Sequence, residues 1–194
     1  MSDAGATCLS DTISVLFEAI VRECRRLSCL FNILGSTEVQ TAIRLLFAND
    51  ISSRALHAAC TALSRLVHKR SSAPLASSRS SQCGLVFPVG HIHHLLLRSL
   101  PAVRVDGTAA ICIAAVLDFI CLEVLRHACD ACLQNAASVA PSGSRATGRD
   151  TTILLCVPHV QKALDCNESL LGLAKVMQES PLDSVRHFES EQVI

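Results

Sequence analysis

Tryptophan and tyrosine are absent, and phenylalanine occurs only six times in 194 residues. Surfaces that bind single strands by stacking bases are built from such rings, so that class is excluded. Charge of one sign is also lacking. Seventeen Lys and Arg meet seventeen Asp and Glu, and the formal net charge is zero, whereas a nucleic-acid packager is ordinarily strongly basic. No run of about 18 continuous apolar residues occurs, so no membrane span is expected. The N-terminus has no basic stretch followed by an apolar one, so no secretory signal is expected. A phosphate-cradling glycine loop, a Ser/His/Asp or Cys/His arrangement and a paired-carboxylate motif are all missing. The expectation is a protein that is not an enzyme and takes neither cofactor nor small-molecule ligand.

What is present is apolar helix. Half of the chain is hydrophobic and the mean hydropathy is +0.41, enough for one large domain or two small ones. Charge is unevenly spread: residues 1–82 carry nine Lys/Arg and six Asp/Glu, residues 83–194 eight and eleven. The eleven cysteines sit mostly inside apolar helical patterns and read as reduced, buried small hydrophobes.

The chain is organised around Gln82–Asn135. Ile92, Leu95 and Leu96 fall at helical spacing within His91–Arg98, and Ser99–Gly107 breaks the pattern with Pro101 and Gly107. Thr108 is the expected N-cap of a helix running to about Asn135. Its Ile111, Ala115, Leu117, Ile120, Leu122, Leu125, Cys129 and Cys132 cover too much surface for a one-sided helix, so other helices must wrap it.

Upstream, residues 1–10 are polar and expected to be disordered. An amphipathic helix from Asp11 carries Ile13, Leu16, Phe17, Ile20, Cys24 and Leu27 on one stripe, and Phe31–Gly35 ends it. A second helix, Thr37–Phe47, starts at Ser36 with Glu38 or Gln40 nearby and carries Val39, Ile43 and Leu46. A third, Ser52–Lys69, carries Leu56, Ala59, Leu63 and Leu66. Ser71–Gln82 reads as a Ser-rich linker. Ala136–Thr152 reads as a long Gly/Ser/Ala-rich loop holding Arg145 and Arg149.

Two stretches carry a family resemblance. Gly84, Leu85, Phe87, Pro88, Val89 and Gly90, then Arg104-Val105, Gly107 and Ala114–Phe119, resemble a core histone of type 2A. Glu38–Leu46, with Phe17-Glu18, Ile20, Glu23 and Arg26-Leu27 before it, resembles histone 2B. The chain as a whole is similar to the histone 2B–2A doublets of giant viruses, with a shortened 2B half. The fold class this implies is all-α: two histone-fold halves clasped as an intramolecular pseudo-heterodimer. Residues 1–70 form the truncated 2B-like half, 71–82 the linker, and 83–194 the 2A-like half with an inserted loop at 136–152 and an acidic tail.

The resemblance also implies sites. DNA contacts are expected at Arg104, Arg98, Arg79 and Arg44, with His91 and His94 standing where the family has arginines. Arg145 and Arg149 either reach a DNA backbone or sit in a solvated loop. With several family cations replaced, fewer counterions are released, and DNA should be held more weakly than by ordinary histones. A partner of histone 4–histone 3 type would meet Val39, Ile43, Leu46, Leu56 and Leu63. A residual acidic patch would comprise Asp50, Asp118, Glu123 and Glu168, with Arg126 intruding on it and opposing any docking arginine.

Two histidine and cysteine groupings invite other chemistry. His127, Cys129 and Cys132, with Cys121 and Cys112 upstream, suggest a metal cluster, but no second Cys-x-x-Cys exists, so core packing and no metal are expected. His91 and His94 align on one helical face and His93 does not, leaving a pH-dependent phosphate contact or ordinary surface histidines.

The functional expectation is a structural DNA-packaging subunit. Its nucleosome-like particle would hold double-stranded DNA, a histone 4–histone 3-type doublet and a second copy of the chain, without any membrane, in a virion, a viral factory or a host nucleus. The alternative is a histone-fold protein–protein interaction module that caps or destabilises histone assemblies without wrapping DNA.

Overall fold

The computed structural model describes residues 3–28, 32–69, 78–139, 158–160 and 162. The described residues are mostly helical, as the sequence leads one to expect, with one short strand pair added. α1 (Asp3–Ser28) begins eight residues before Asp11. Gly5 and Leu9 are buried and extend the stripe of Ile13, Leu16, Ile20 and Cys24 by two turns. The polar residues that suggested disorder are absorbed by the helix itself. The Thr7 hydroxyl donates to the Asp3 carbonyl at 3.0 Å.

The chain leaves α1 through Asn32, whose φ of 53° is in the left-handed region, a conformation Asn tolerates better than most side chains. β1 (Ile33–Leu34) follows. α2 (Ser36–Leu46) is capped by Gly35. Half of a capping box is formed: the Glu38 carboxylate accepts from the Gly35 N–H at 2.8 Å, and glycine has no side chain to return the bond. α3 (Asn49–Lys69) starts one turn earlier than the apolar pattern suggested, and the Ser52 N–H donates to the Ala48 carbonyl.

The end of the expected linker is structured. Arg79–Cys83 forms α4, capped by Ser78, whose hydroxyl accepts from the Ser81 N–H at 3.2 Å; residues 71–77 lie outside the described residues. Gly84 ends α4 at φ 68°. A Cβ there would stand 3.0 Å from the tip of the Arg65 side chain, which can swing aside, so it is the positive φ that favours glycine. The run that follows is pinned by Asp118, whose two carboxylate oxygens accept from the Val86 and Phe87 N–H groups at 2.8 and 3.0 Å. α5 (Val89–Ser99), β2 (Arg104–Val105) and α6 (Gly107–Val139) complete the described elements.

α6 is the centre. Every residue from Ala109 to Leu117 is buried, because α3, α5, α2 and α1 all pack on this helix. Ala55, Ala59 and Ala62 on α3 and Ala110 and Ala114 on α6 are buried small residues, which let packed helices approach closely. Beyond Ile120 the wrapping ends. Val124, Ala128 and Ala131 continue the inward face, Leu125, Cys129 and Cys132 lie at its margin, and Leu122 is 66% exposed. Leu122 therefore does not belong to the core stripe expected of it.

The helix also runs through 136–139, where a loop was expected; the rest of the 136–152 segment, with Arg145 and Arg149, lies outside the described residues. His159-Val160 is helical and Val160 is buried in the core. α1 and α6 are each long and apolar enough to cross a membrane, and burial inside this fold accounts for that apolar character.

Candidate functional site

β1 and β2 pair in parallel, Ile33 with Arg104 and Leu34 with Val105. The Arg104 N–H donates to the Asn32 carbonyl at 2.8 Å, and the Asp106 N–H to the Leu34 carbonyl at 2.9 Å. Strand alternation turns Leu34 and Val105 toward the core and leaves Ile33 and Arg104 side by side on the outer face.

Two helix ends converge on this pair. The Arg25 guanidinium on the last turns of α1 donates to the Ser99 carbonyl, the last residue of α5, at 2.7 Å. The last turns of α1 carry exposed Arg22, Arg25 and Arg26, and the end of α5 carries exposed Arg98, with Arg26 paired to Glu23 at 2.8 Å. On α5, His91, His94, Leu97 and Arg98 are all exposed, and the spacing of His91, His94 and Arg98 puts them on one face.

The N-terminus of α6 opens at the same place. Thr108 was expected as its cap, but Asp106 performs that role. Its carboxylate accepts from the Thr108 hydroxyl and from the Gly107 and Thr108 N–H groups. The bond from the Thr108 hydroxyl holds the carboxyl below its ordinary value. Burial opposes this, and the backbone donors and the nearby Arg104 add to it. An Asp-Gly-Thr sequence directly before a long apolar helix is the signal that marks Asp106 as the cap. Arg79 lies over Gly107, its guanidinium 3.1 Å from where a Cβ would stand, and exposed Arg44 is on α2.

A second charged region lies between α3 and α6. Glu123, its side chain only 11% exposed, accepts from Arg54 at 2.6 Å and Arg126 at 2.8 Å. His127 stands 3.7 Å away, and Asp50 pairs with Arg54 at 3.7 Å. Burial pushes the Glu123 carboxyl up, but the bonds from Arg126 and Arg54 outweigh it and leave it below its ordinary value. Arg54 also lies over the Phe119 ring at 5.2 Å, beside an open groove of about 470 Å³ lined by Ser53, Arg54, His57, Ala58 and Phe119.

The described members of the expected acidic patch each have a partner within the chain. Asp118 is spent on backbone N–H groups, Glu123 on two arginines and Asp50 on one. Glu168 lies outside the described residues.

The expected partner face is also redirected. Val39, Ile43 and Leu56 are buried, and Leu46 and Leu63 pack against the same core. Because α6 belongs to the same chain, the apolar sides of α2 and α3 are satisfied internally. The apolar side chains left exposed are others, including Ile33, Leu45, Val67, Val86 and Leu97.

The cysteines behave as core atoms where they are buried: burial pushes the Cys24 and Cys112 thiols up to about 12. Among the described residues no three His, Cys, Asp or Glu converge as a metal site.

Two long helices wrapped by shorter ones and joined across a parallel strand pair are the elements of a histone domain. The family whose profile matches is "Histone domain in ABTB family protein", over residues 4–115, and this chain belongs to it. The match runs unbroken from α1 through the 2A-like hexapeptide into the first half of α6, and it lends nothing to a viral doublet. A histone domain is structural rather than catalytic, and it implies histone-fold partners.

Proposed function

We propose that this chain is a pre-paired histone-fold interaction module, which engages a protein partner and does not wrap DNA. In this reading residues 1–70 act as a truncated 2B-like half and 83–194 as a 2A-like half. β1, after the long helix of the first, clasps β2, before the long helix of the second. The observation that carries the reading is Asp106. A helix N-terminus beside an arginine is where a DNA phosphate would sit. Here an ionised carboxylate already holds the first-turn N–H groups next to Arg104. The zero net charge points the same way.

A second reading, the DNA-packaging subunit, is favoured by the exposed Arg44, Arg79, Arg98, Arg104, His91 and His94. Nuclease digestion of duplex DNA mixed with the chain and a histone 4–histone 3-type partner separates the two. The expected result is no protection beyond that given by the partner alone. A discrete additional protected fragment would overturn the module reading. Asp106→Asn should raise duplex affinity at low salt roughly two- to five-fold, the worth of one charge at a helix N-terminus.

A further inference from the structure

We infer that the second half of α6 carries a docking face for a second copy of this chain, the two helices meeting antiparallel about a two-fold axis near the His127–Ala128 peptide.

Beyond Ile120 the inward side of α6 consists of Val124, Ala128 and Ala131, all buried. The side next to it is apolar as well. Helical spacing sets Cys121, Leu122, Leu125, Cys129, Cys132 and Leu133 on one stripe. No charged residue between Phe119 and Leu133 falls inside that stripe. Leu122 is 66% exposed and Leu133 53%, while Leu125, Cys129 and Cys132 are partly buried between them. Single exposed apolar residues, such as Leu45 and Val67 on other helices, are ordinary. A continuous stripe at helical period is the mark of a seam between helices.

The order of residues along the stripe favours a second copy as the occupant. Leu122 and Leu133 stand at equal distances on either side of the His127–Ala128 peptide, with Leu125 and Cys129 between them. An antiparallel copy therefore sets Leu122 against Leu133 and Leu125 against Cys129 at both ends of the seam at once, as a two-fold contact requires.

Charge follows the same axis. Arg126 and Asp130 line one margin of the stripe, one on each side of its midpoint. The two-fold brings Asp130 of each copy to Arg126 of the other. Arg126 keeps its bond to Glu123 at 2.8 Å, because that bond uses one nitrogen of a group with five N–H donors. Parallel packing would instead set like charge against like. A lipid surface calls for cations along an apolar stripe, whereas this margin offers one acid for one base. Leu122 lies roughly four turns along α6 from Asp106, so the face does not depend on whether the β1–β2 end meets DNA or protein.

The test is sedimentation equilibrium of the full chain across a concentration series. A reversible dimer with a Kd of about 10 µM is expected, in keeping with a seam one helix face wide. The Leu122→Glu/Leu133→Glu pair should raise Kd about a hundred-fold, with unchanged far-ultraviolet dichroism because both side chains are exposed. Asp130→Lys should raise it about ten-fold, and less as salt rises. Val67→Glu, at an exposed position on α3, should leave it unchanged. A short bismaleimide should link Cys129 of one copy to Cys129 of the other, as mapped by mass spectrometry.

A chain that stays monomeric at about 200 µM, with Cys129 closed to a monofunctional maleimide, would show the stripe to be covered by the chain itself and overturn the face. A monomer with Cys129 reactive would overturn it equally. So would a dimer that survives the double glutamate substitution, one that Val67→Glu abolishes, or links confined to cysteines outside α6. Wild-type dimerisation by Asp130→Lys would overturn the antiparallel register.

Discussion

The two charged regions of this molecule follow opposite rules. On the α3–α6 face each described carboxylate is answered. Glu123 is held between Arg54 and Arg126, Asp50 meets Arg54, and Asp118 takes two backbone N–H groups. The end of α1 carries exposed Arg22, Arg25 and Arg26, the end of α5 exposed Arg98, and β2 exposed Arg104. A chain of zero net charge thus separates a face where charge holds the fold together from a β1–β2 edge where charge remains at the surface. The difference teaches that the total says little about binding. What counts is where the charges sit and how far each is buried.

If the α3–α6 charges are structural, removing them should cost stability. The largest loss is expected at Asp118→Ala, which frees two N–H groups of the Val86-Phe87 run and releases it from α6. The cost should be about 2 kcal/mol by urea unfolding, since bonds to a charged acceptor are worth roughly 1.5–3 kcal/mol and Val86 lies in solvent. Glu123→Ala should cost less, about 1–2 kcal/mol, because Arg54 and Arg126 can turn to water. A double-mutant cycle with Arg54→Ala should return a coupling well above zero. Near-zero coupling would mean that the face is as dispensable as the edge, and the contrast would collapse.

Acid should reveal the same pair. The Glu123 carboxyl titrates below its ordinary value in the fold, so the unfolded chain binds its proton first. Its contribution is therefore fully present above the unfolded value near 4.5 and is lost as pH falls through the lower folded value. Wild type and Glu123→Gln should differ most at neutral pH and converge below that window. A constant difference across the titration would show that the carboxylate's charge does not contribute.

How much of this was legible beforehand divides along physical lines. Helices with a regular apolar period were readable, and so was the crowding of α6, because nine successive buried residues leave a helix with no polar side. What failed were elements whose signals are polar. The first turns of α1 were hidden because Thr7 bonds back onto its own helix, whereas Ser and Thr in a short N-terminal stretch read as disorder. α4 was hidden inside a Ser-rich run whose capping serine gave no apolar period.

The site was legible in part. Arg98 and Arg104 were expected to contact DNA, and the structure leaves both exposed, one at the end of α5 and one on β2. The Arg25–Ser99 contact was not foreseen, since no local pattern in the sequence says that α1 ends against α5. Val39, Ile43 and Leu56 were expected to meet a histone 4–histone 3-type partner. Their partner turned out to be α6 of the same chain, a distinction that periodicity does not encode.

The smallest expected effect bears hardest on the comparison. Arg98→Glu and Arg104→Glu, singly, should each change unfolding free energy by no more than about 0.5 kcal/mol, the usual range for exposed substitutions away from packed or capped positions. Arg104 is the sharper case. Its backbone belongs to the strand pair, but its side chain is exposed beside Ile33, and one of its charged neighbours is Asp106. Glutamate there would stand near that carboxylate, so a small loss is expected at low salt and should vanish as salt rises past the Debye regime. A loss above 1 kcal/mol that persists in salt would mean Arg104 holds the α6 N-terminus in place. The cations at the edge would then be structural like those on the α3–α6 face.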